Sequence, residues 1–141
     1  MVAKRTACLA LVFALFFISA SSSQALAAKP DRSGGSGNGS VALVLLQSVD
    51  GLAHYGQNVT FAIATSASAY PYVNLKCWQG GAFVGEAWRG FFPTSLSGTT
   101  FTLSGTSAWQ SGVAADCSAY LTYQTRRGWT VVASTSFHVD P

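Results

Sequence analysis

Residues 72–79 read Tyr-Val-Asn-Leu-Lys-Cys-Trp-Gln, and residues 83–89 read Phe-Val-Gly-Glu-Ala-Trp-Arg. Gly80-Gly81 lies between them. The first stretch alternates: Val73, Leu75 and Cys77 fall on one side, and Tyr72, Asn74, Lys76 and Trp78 on the other. A period of two is the signature of a strand with one buried face. Lys76 cannot be buried unpaired without a large cost, so the Cys77 side is the core side. The glycine pair permits positive φ without steric penalty and predicts a tight hairpin between two antiparallel strands. By the same alternation Val84, Glu86 and Trp88 are expected on the outer side of the second strand.

Five further stretches share this character, rich in Val, Thr, Phe and Tyr and bounded by Gly, Ser or Pro. They are Val41–Ser48, Asn58–Thr65, Thr100–Ser104, Ala115–Gln124 and Trp129–Val139. In chain order the seven strands pair Val59, Phe61 and Ile63 inward on the second, and Phe101 and Leu103 on the fifth. On the sixth, Cys117, Ala119, Leu121 and Tyr123 face in, while Asp116, Ser118, Tyr120 and Thr122 face out. On the last, Val131, Ala133, Thr135, Phe137 and Val139 share the inner side. Trp109, between the fifth and sixth strands, is expected as a core plug. No stretch shows helical periodicity. Seven short strands with regular turn signals predict an all-β fold, an antiparallel β-sandwich over residues 41–141.

The N-terminus has a different character. Lys4 and Arg5 precede an unbroken apolar run, Ala7 to Ile18, and Ala25-Leu26-Ala27 offers small residues for cleavage. This pattern predicts a secretory signal peptide over residues 1–27. The run is shorter than the roughly 20 apolar residues that span a bilayer, so no stable membrane anchor is expected after cleavage. Residues 28–40 are dominated by glycine and serine and are expected to form a flexible tail. Removing residues 1–27 takes away Lys4 and Arg5 and leaves six basic residues against five acids, so the formal charge falls from +3 to +1. It also takes away Cys8 and leaves Cys77 and Cys117. In an exported chain an even pair predicts a disulfide, and both cysteines have inward parity. The expected location is secreted and extracellular.

The order and number of these strands resemble an immunoglobulin-like or fibronectin type III-like sandwich, as found in small secreted bacterial proteins. Cys77-Trp78 is similar to the tryptophan-bearing third strand of such domains, and Asp116-Cys117 with Tyr120 to their sixth. The departure is the cysteine placement, which implies a bridge between the third and sixth strands. Enediyne chromoprotein carriers are similar in size and composition but carry two disulfides. The resemblance implies architecture and carries over no functional residue.

Charged residues make up 9% of the chain, too few for the dense basic face of a nucleic-acid binder. The mature acids are Asp31, Asp50, Glu86, Asp116 and Asp140, and the histidines are His54 and His138. They do not cluster as calcium or zinc ligands do, so no metal and no cofactor are expected. No Gly-x-Ser-x-Gly elbow accompanies the histidines, and the domain is expected not to be an enzyme. The informative feature is aromatic. If the last, sixth, third and fourth strands form one sheet, its outer side carries Tyr72, Trp78, Glu86, Trp88 and Tyr120. Aromatic planes beside amides and acids suit stacking on sugars and protein hot spots. The expected function is a secreted, monomeric, non-catalytic module binding a protein or glycan through this face. The alternatives are a carrier of a small apolar ligand, or a secreted hydrolase using Glu86, Asp116, His54 or His138. The loop at 90–97, with Phe91-Phe92-Pro93, is positioned to fold over the face.

Overall fold

The computed structural model describes residues 38–141. The expected signal peptide and most of the Gly/Ser tail lie outside the described residues. Eight strands are present: β1 (Gly39–Leu45), β2 (Ala53–His54), β3 (Asn58–Thr65), β4 (Tyr72–Gln79), β5 (Ala82–Gly90), β6 (Phe101–Thr102), β7 (Ala115–Thr125) and β8 (Gly128–Asp140). They form a three-stranded sheet, β1-β3-β6, and a five-stranded sheet, β2-β8-β7-β4-β5. The fold is therefore an all-β sandwich, antiparallel except at β2, which runs parallel to the end of β8. β2 has no counterpart among the seven strands expected from sequence, because two residues are too few to show alternation, and β1 starts two residues earlier than expected, since Gly39 already pairs with Thr65.

The core lies between the sheets and is filled as alternation predicts. Val59 and Phe61 from β3 and Phe101 from β6 face Val73, Leu75 and Cys77 from β4 and Cys117, Ala119 and Leu121 from β7, all buried. Phe61 and Phe101 meet edge to face at 5.4 Å, the geometry that the ring quadrupole favours. Gly80 and Gly81 both have positive φ, 54° and 85°, so the β4–β5 hairpin turns where the glycine pair predicts.

Two expectations on facing are overturned, each by a β-bulge. Between β4 and β5 the register skips Val84: Trp78 pairs with Phe83 and Cys77 with Gly85. The extra residue turns Val84 into the core and puts Phe83 on the outer side. Between β7 and β8 the register skips Val132: Leu121 pairs with Ala133 and Thr122 with Val131. Val131, expected inside, is 55% exposed, and Val132 packs against the core in its place. A bulge inverts the parity of everything beyond it, which is why strict alternation fails there.

Cys77 and Cys117 form a disulfide, with Cα atoms 4.1 Å apart and 40 residues of separation. They face each other directly across β4 and β7, two neighbours in one sheet. The bridge thus closes the excursion in which the chain leaves along β5, crosses to the other sheet as β6, and returns to β7. Trp109 on that excursion is buried, as a core plug should be, and meets Tyr55 at 6.3 Å. Gln79 holds its loop: the side-chain amide donates to the carbonyls of Gln110 and Val113 at 2.9 and 2.7 Å and accepts from the Gln110 N–H at 2.9 Å. The buried Gln79 amide is itself fully paired, while the Trp109 indole N–H on the same loop is buried with no hydrogen-bond partner.

Candidate functional site: the outer face of the five-stranded sheet

Cross-strand register lays the outer face out in rows running β5, β4, β7, β8. One row is Gly90, Tyr72, Thr122, Val131, and the next is Trp88, Asn74, Tyr120, Ser134. Then come Glu86, Lys76, Ser118, Ser136, and last Phe83, Trp78, Asp116, His138. Asn74 and Thr122 face outward yet are each only 3% exposed. The rows supply the reason. Asn74 stands between Trp88 and Tyr120, and Thr122 between Tyr72 and Val131, so large neighbours on both sides exclude water.

At one end of the face the aromatic rings form a continuous ladder. Tyr70 meets Phe92 at 5.3 Å, Phe92 meets Tyr72 at 5.3 Å, Tyr72 meets Trp129 at 5.2 Å, and Trp129 meets Trp88 at 4.8 Å. Trp88 is 37% and Trp129 47% exposed, so the indoles remain open to solvent. The 90–97 loop does not cover them. Its Phe91 packs against the core and its Phe92 stands at the margin, against Tyr70 and Tyr72.

Glu86 organises the polar part of this end. Its Oε1 accepts from Asn74 Nδ2 at 2.7 Å and from Trp88 Nε1 at 2.9 Å, and Lys76 Nζ lies 3.7 Å away. The indole bond fixes the Trp88 ring plane, and the carboxylate satisfies the buried amide. Such a face can stack a flat or ring-shaped group on the indoles and direct its polar atoms with Glu86 and Lys76.

Of the five residues singled out from sequence, Tyr72, Glu86 and Trp88 come together here. Tyr120 lies beside them, one strand over, paired with Asn74. Trp78 does not join them: six residues along β4 place it about 20 Å from Tyr72. It packs instead against Phe83 at 5.8 Å. Trp129 was missed, because the parity read from Val131 turned it inward. A signal did exist: both bulges fall on apolar doublets, Phe83-Val84 and Val131-Val132, which break the alternation.

Each histidine has one close carboxylate, and Asp140 lies between the two pairs, its Oδ1 3.9 Å from His138 Nε2 and its backbone paired in register with His54. His138 Nδ1 lies 2.8 Å from Asp116 Oδ1 beside Trp78, and the Ser118 and Ser136 hydroxyls next to it bond each other at 2.9 Å. His54 Nε2 lies 2.8 Å from Asp50 Oδ2, and Ser48 donates to Asp50 at 3.0 Å and not to the imidazole. Among the described residues neither imidazole carries a serine hydroxyl, and no group of three or more His, Cys, Asp or Glu could hold a metal.

The His54 hydrogen bond, with help from the Leu52 N–H and Ser48, lowers Asp50 to about 2, and the same bond raises His54 above its ordinary 6.5. The signs differ. The imidazolium's contribution is complete below about pH 6.5 and fades as pH rises through the raised value. The carboxylate's is complete above about pH 4 and fades as pH falls towards 2. The 48–54 turn is thus held by both charges between about pH 4 and 6.5. An NMR titration of the His54 ring should show a midpoint above 6.5, and Asp50→Asn should bring it back down. An unchanged midpoint in the variant contradicts the pairing.

Compared with known proteins, the chain matches no family model, no curated protein and no solved structure.

Proposed function

We propose that the mature chain is a secreted, non-catalytic binding module of immunoglobulin-like architecture. It recognises a protein or glycan through the outer face of the five-stranded sheet. The observation that carries this reading is the aromatic ladder ending in the exposed, mutually packed Trp88 and Trp129, with Glu86 holding the Trp88 indole. Exposed aromatic clusters of this kind mark interaction sites more often than bare surface. The architecture is supported by the two sheets: β1, β3 and β6 on one side, β8, β7, β4 and β5 on the other. Immunoglobulin-like domains divide their strands in this way. Secretion is supported by the N-terminal sequence pattern and by the disulfide, which persists in oxidising compartments.

The test is a glycan array and a pull-down from the cell surroundings with the mature protein, repeated with Trp88→Ala/Trp129→Ala. Both residues lie outside the core, so the double variant should fold. Loss of two hot-spot indoles should weaken binding by about thirtyfold or more. A binder that the double variant retains at full affinity sinks the outer-face reading.

A further inference from the structure

The outer face of the five-stranded sheet carries aromatic rings at both ends and polar groups between them. Trp88 stands on β5 and Trp129 on β8, with β4 and β7 between. Neighbouring strands lie about 4.8 Å apart, so these two backbones are separated by about 14 Å. Their rings nevertheless meet at 4.8 Å. The indoles therefore lie down across the sheet and reach toward each other, forming a low platform that helps to bury Asn74 and Thr122. At the other end Trp78 of β4 and Phe83 of β5 meet at 5.8 Å, and Phe83 is 53% exposed. Trp78 lines a shallow hollow with Asp116, Ser118, Ser136 and His138. Asn74, in the row of Trp88, is four residues from Trp78 on β4, so about 13 Å separates the two platforms along the strands.

The row between them is Glu86, Lys76, Ser118 and Ser136, and it has unused hydrogen-bonding capacity. Glu86 makes its three contacts through Oε1, and among the described residues Oε2 takes no hydrogen bond. Lys76 Nζ has three donors and one ion-pair contact, at 3.7 Å. Ser118 and Ser136 bond each other, which uses only one of their two hydroxyl protons. Beside them His138 Nε2 is 3.9 Å from Asp140 Oδ1, beyond hydrogen-bond distance.

This layout is the reverse of a protein interface, where an apolar centre is ringed by a polar rim and hot spots cluster in the middle. A protein seated here would desolvate Glu86, Lys76 and the serines at its centre. The charges bear on the sign of the ligand. Lys76 is matched by Glu86, and Asp116 has only His138 beside it. The face has no surplus of positive charge and so suits neither a phosphate backbone nor an acidic polysaccharide. A neutral sugar chain fits on each count. Its ring faces stack on indoles, and its hydroxyls both donate and accept.

We infer that the outer face binds one extended, neutral glycan chain running along β4, with one sugar ring on Trp88 and Trp129 and another on Trp78 and Phe83. The hydroxyls between them would meet Glu86, Lys76, Ser118 and Ser136. An equatorially linked chain is the class that suits, because it is a flat ribbon and both platforms lie on one sheet. A chain that coils lifts away from the second platform. The inference rests on the outer-face reading, narrows its ligand from protein or glycan to one class of glycan, and adds Trp78 and Phe83 as a second subsite.

The probes are cellohexaose, chitohexaose and xylohexaose, the disaccharide of each, the coiled maltohexaose and the anionic hyaluronan hexasaccharide. Each is titrated into the oxidised mature protein, with indole and amide chemical shifts as readouts. We expect at least one of the three extended neutral chains to bind saturably and to move the signals of Trp88, Trp129 and Trp78 together. Its disaccharide, too short to reach both platforms, should bind about tenfold more weakly or worse. Trp78→Ala should weaken the hexasaccharide by about tenfold and leave the disaccharide's shifts at Trp88 and Trp129 in place. If Trp78→Ala fails to fold, the wild-type shift map and the length dependence decide. Saturable binding by none of the three extended chains overturns the glycan assignment. Equal or tighter binding of maltohexaose overturns the extended shape, and of hyaluronan the neutral charge. A disaccharide as tight as its hexasaccharide, or shifts at one platform only, overturns the second subsite. A protein partner lost in Trp88→Ala/Trp129→Ala, with no glycan bound, overturns this inference and leaves the outer-face reading standing. A glycan whose shifts centre on Thr102 and Thr106, away from this face, overturns both.

Discussion

Reducing the Cys77–Cys117 bridge is expected to lower the stability of the folded domain by about 4 kcal/mol, the loop-entropy value for its 40-residue separation. A domain of this size has about 5–15 kcal/mol in total, so the bridge is a large fraction of it. The bridge does not staple the two sheets together. It locks the register of β4 against β7, the central pair of the larger sheet, and closes the excursion through β5, β6 and the Trp109 loop. Without it, the unfolded chain regains the freedom of that whole segment. The measurement is urea unfolding with and without a phosphine reductant, and the midpoint of thermal unfolding should fall by roughly 15–30 °C. Cys77→Ala/Cys117→Ala should behave like the reduced wild type or slightly worse, because both positions are buried and alanine leaves space. Coincident unfolding curves in the oxidised and reduced proteins contradict this account.

The second large effect is expected at Phe101. Phe101→Ala should cost about 3–5 kcal/mol, against under about 1.5 kcal/mol for Phe101→Leu. β6 is two residues long and pairs with β3 at only two positions, Asn58 with Thr102 and Val59 with Phe101. So short a ladder cannot hold the chain in place by backbone bonds alone. The strand is held by what it buries, Phe101 itself and Leu103 just beyond, both almost fully enclosed. The ring packs edge to face on Phe61 and lies beneath the Arg89 guanidinium. Truncation thus opens a cavity beneath the β6 edge of the three-stranded sheet and removes the surface on which Arg89 rests. The check is the urea midpoint at unchanged m-value, which isolates stability from changes in the unfolded state. A loss for Phe101→Ala below about 1 kcal/mol, the range of surface substitutions, is incompatible with this packing.

The fold was largely legible because alternation, glycine turns and a cysteine pair are local signals. Val73, Leu75 and Cys77 declare their side within eight residues, and Gly80-Gly81 announces the hairpin. The facing cysteines follow from the same parity. The candidate site was legible in part. Tyr72, Glu86 and Trp88 lie on strand segments whose parity is undisturbed, so counting by two places them correctly. Trp129 lies beyond the Val132 bulge, where counting by two gives the wrong side. Trp78 shares the outer parity but not the location, because parity says which side a residue faces and nothing of how far along the strand its partners lie.

The low charge, 9% of residues, was evident from composition, and it directed attention to the aromatic and apolar surface. The sequence by itself determined seven of the eight strands, their inner sides except at and beyond the two bulges, and the disulfide, since each depends on neighbours within a few residues or on a unique pair. Only the tertiary structure decided the rest. It placed two bulges and assembled the ladder from Tyr70 to Trp88 out of segments up to sixty residues apart. The physical reason is that a bulge or a ladder of rings is set by the summed fit of several strands. No single stretch of chain carries that sum.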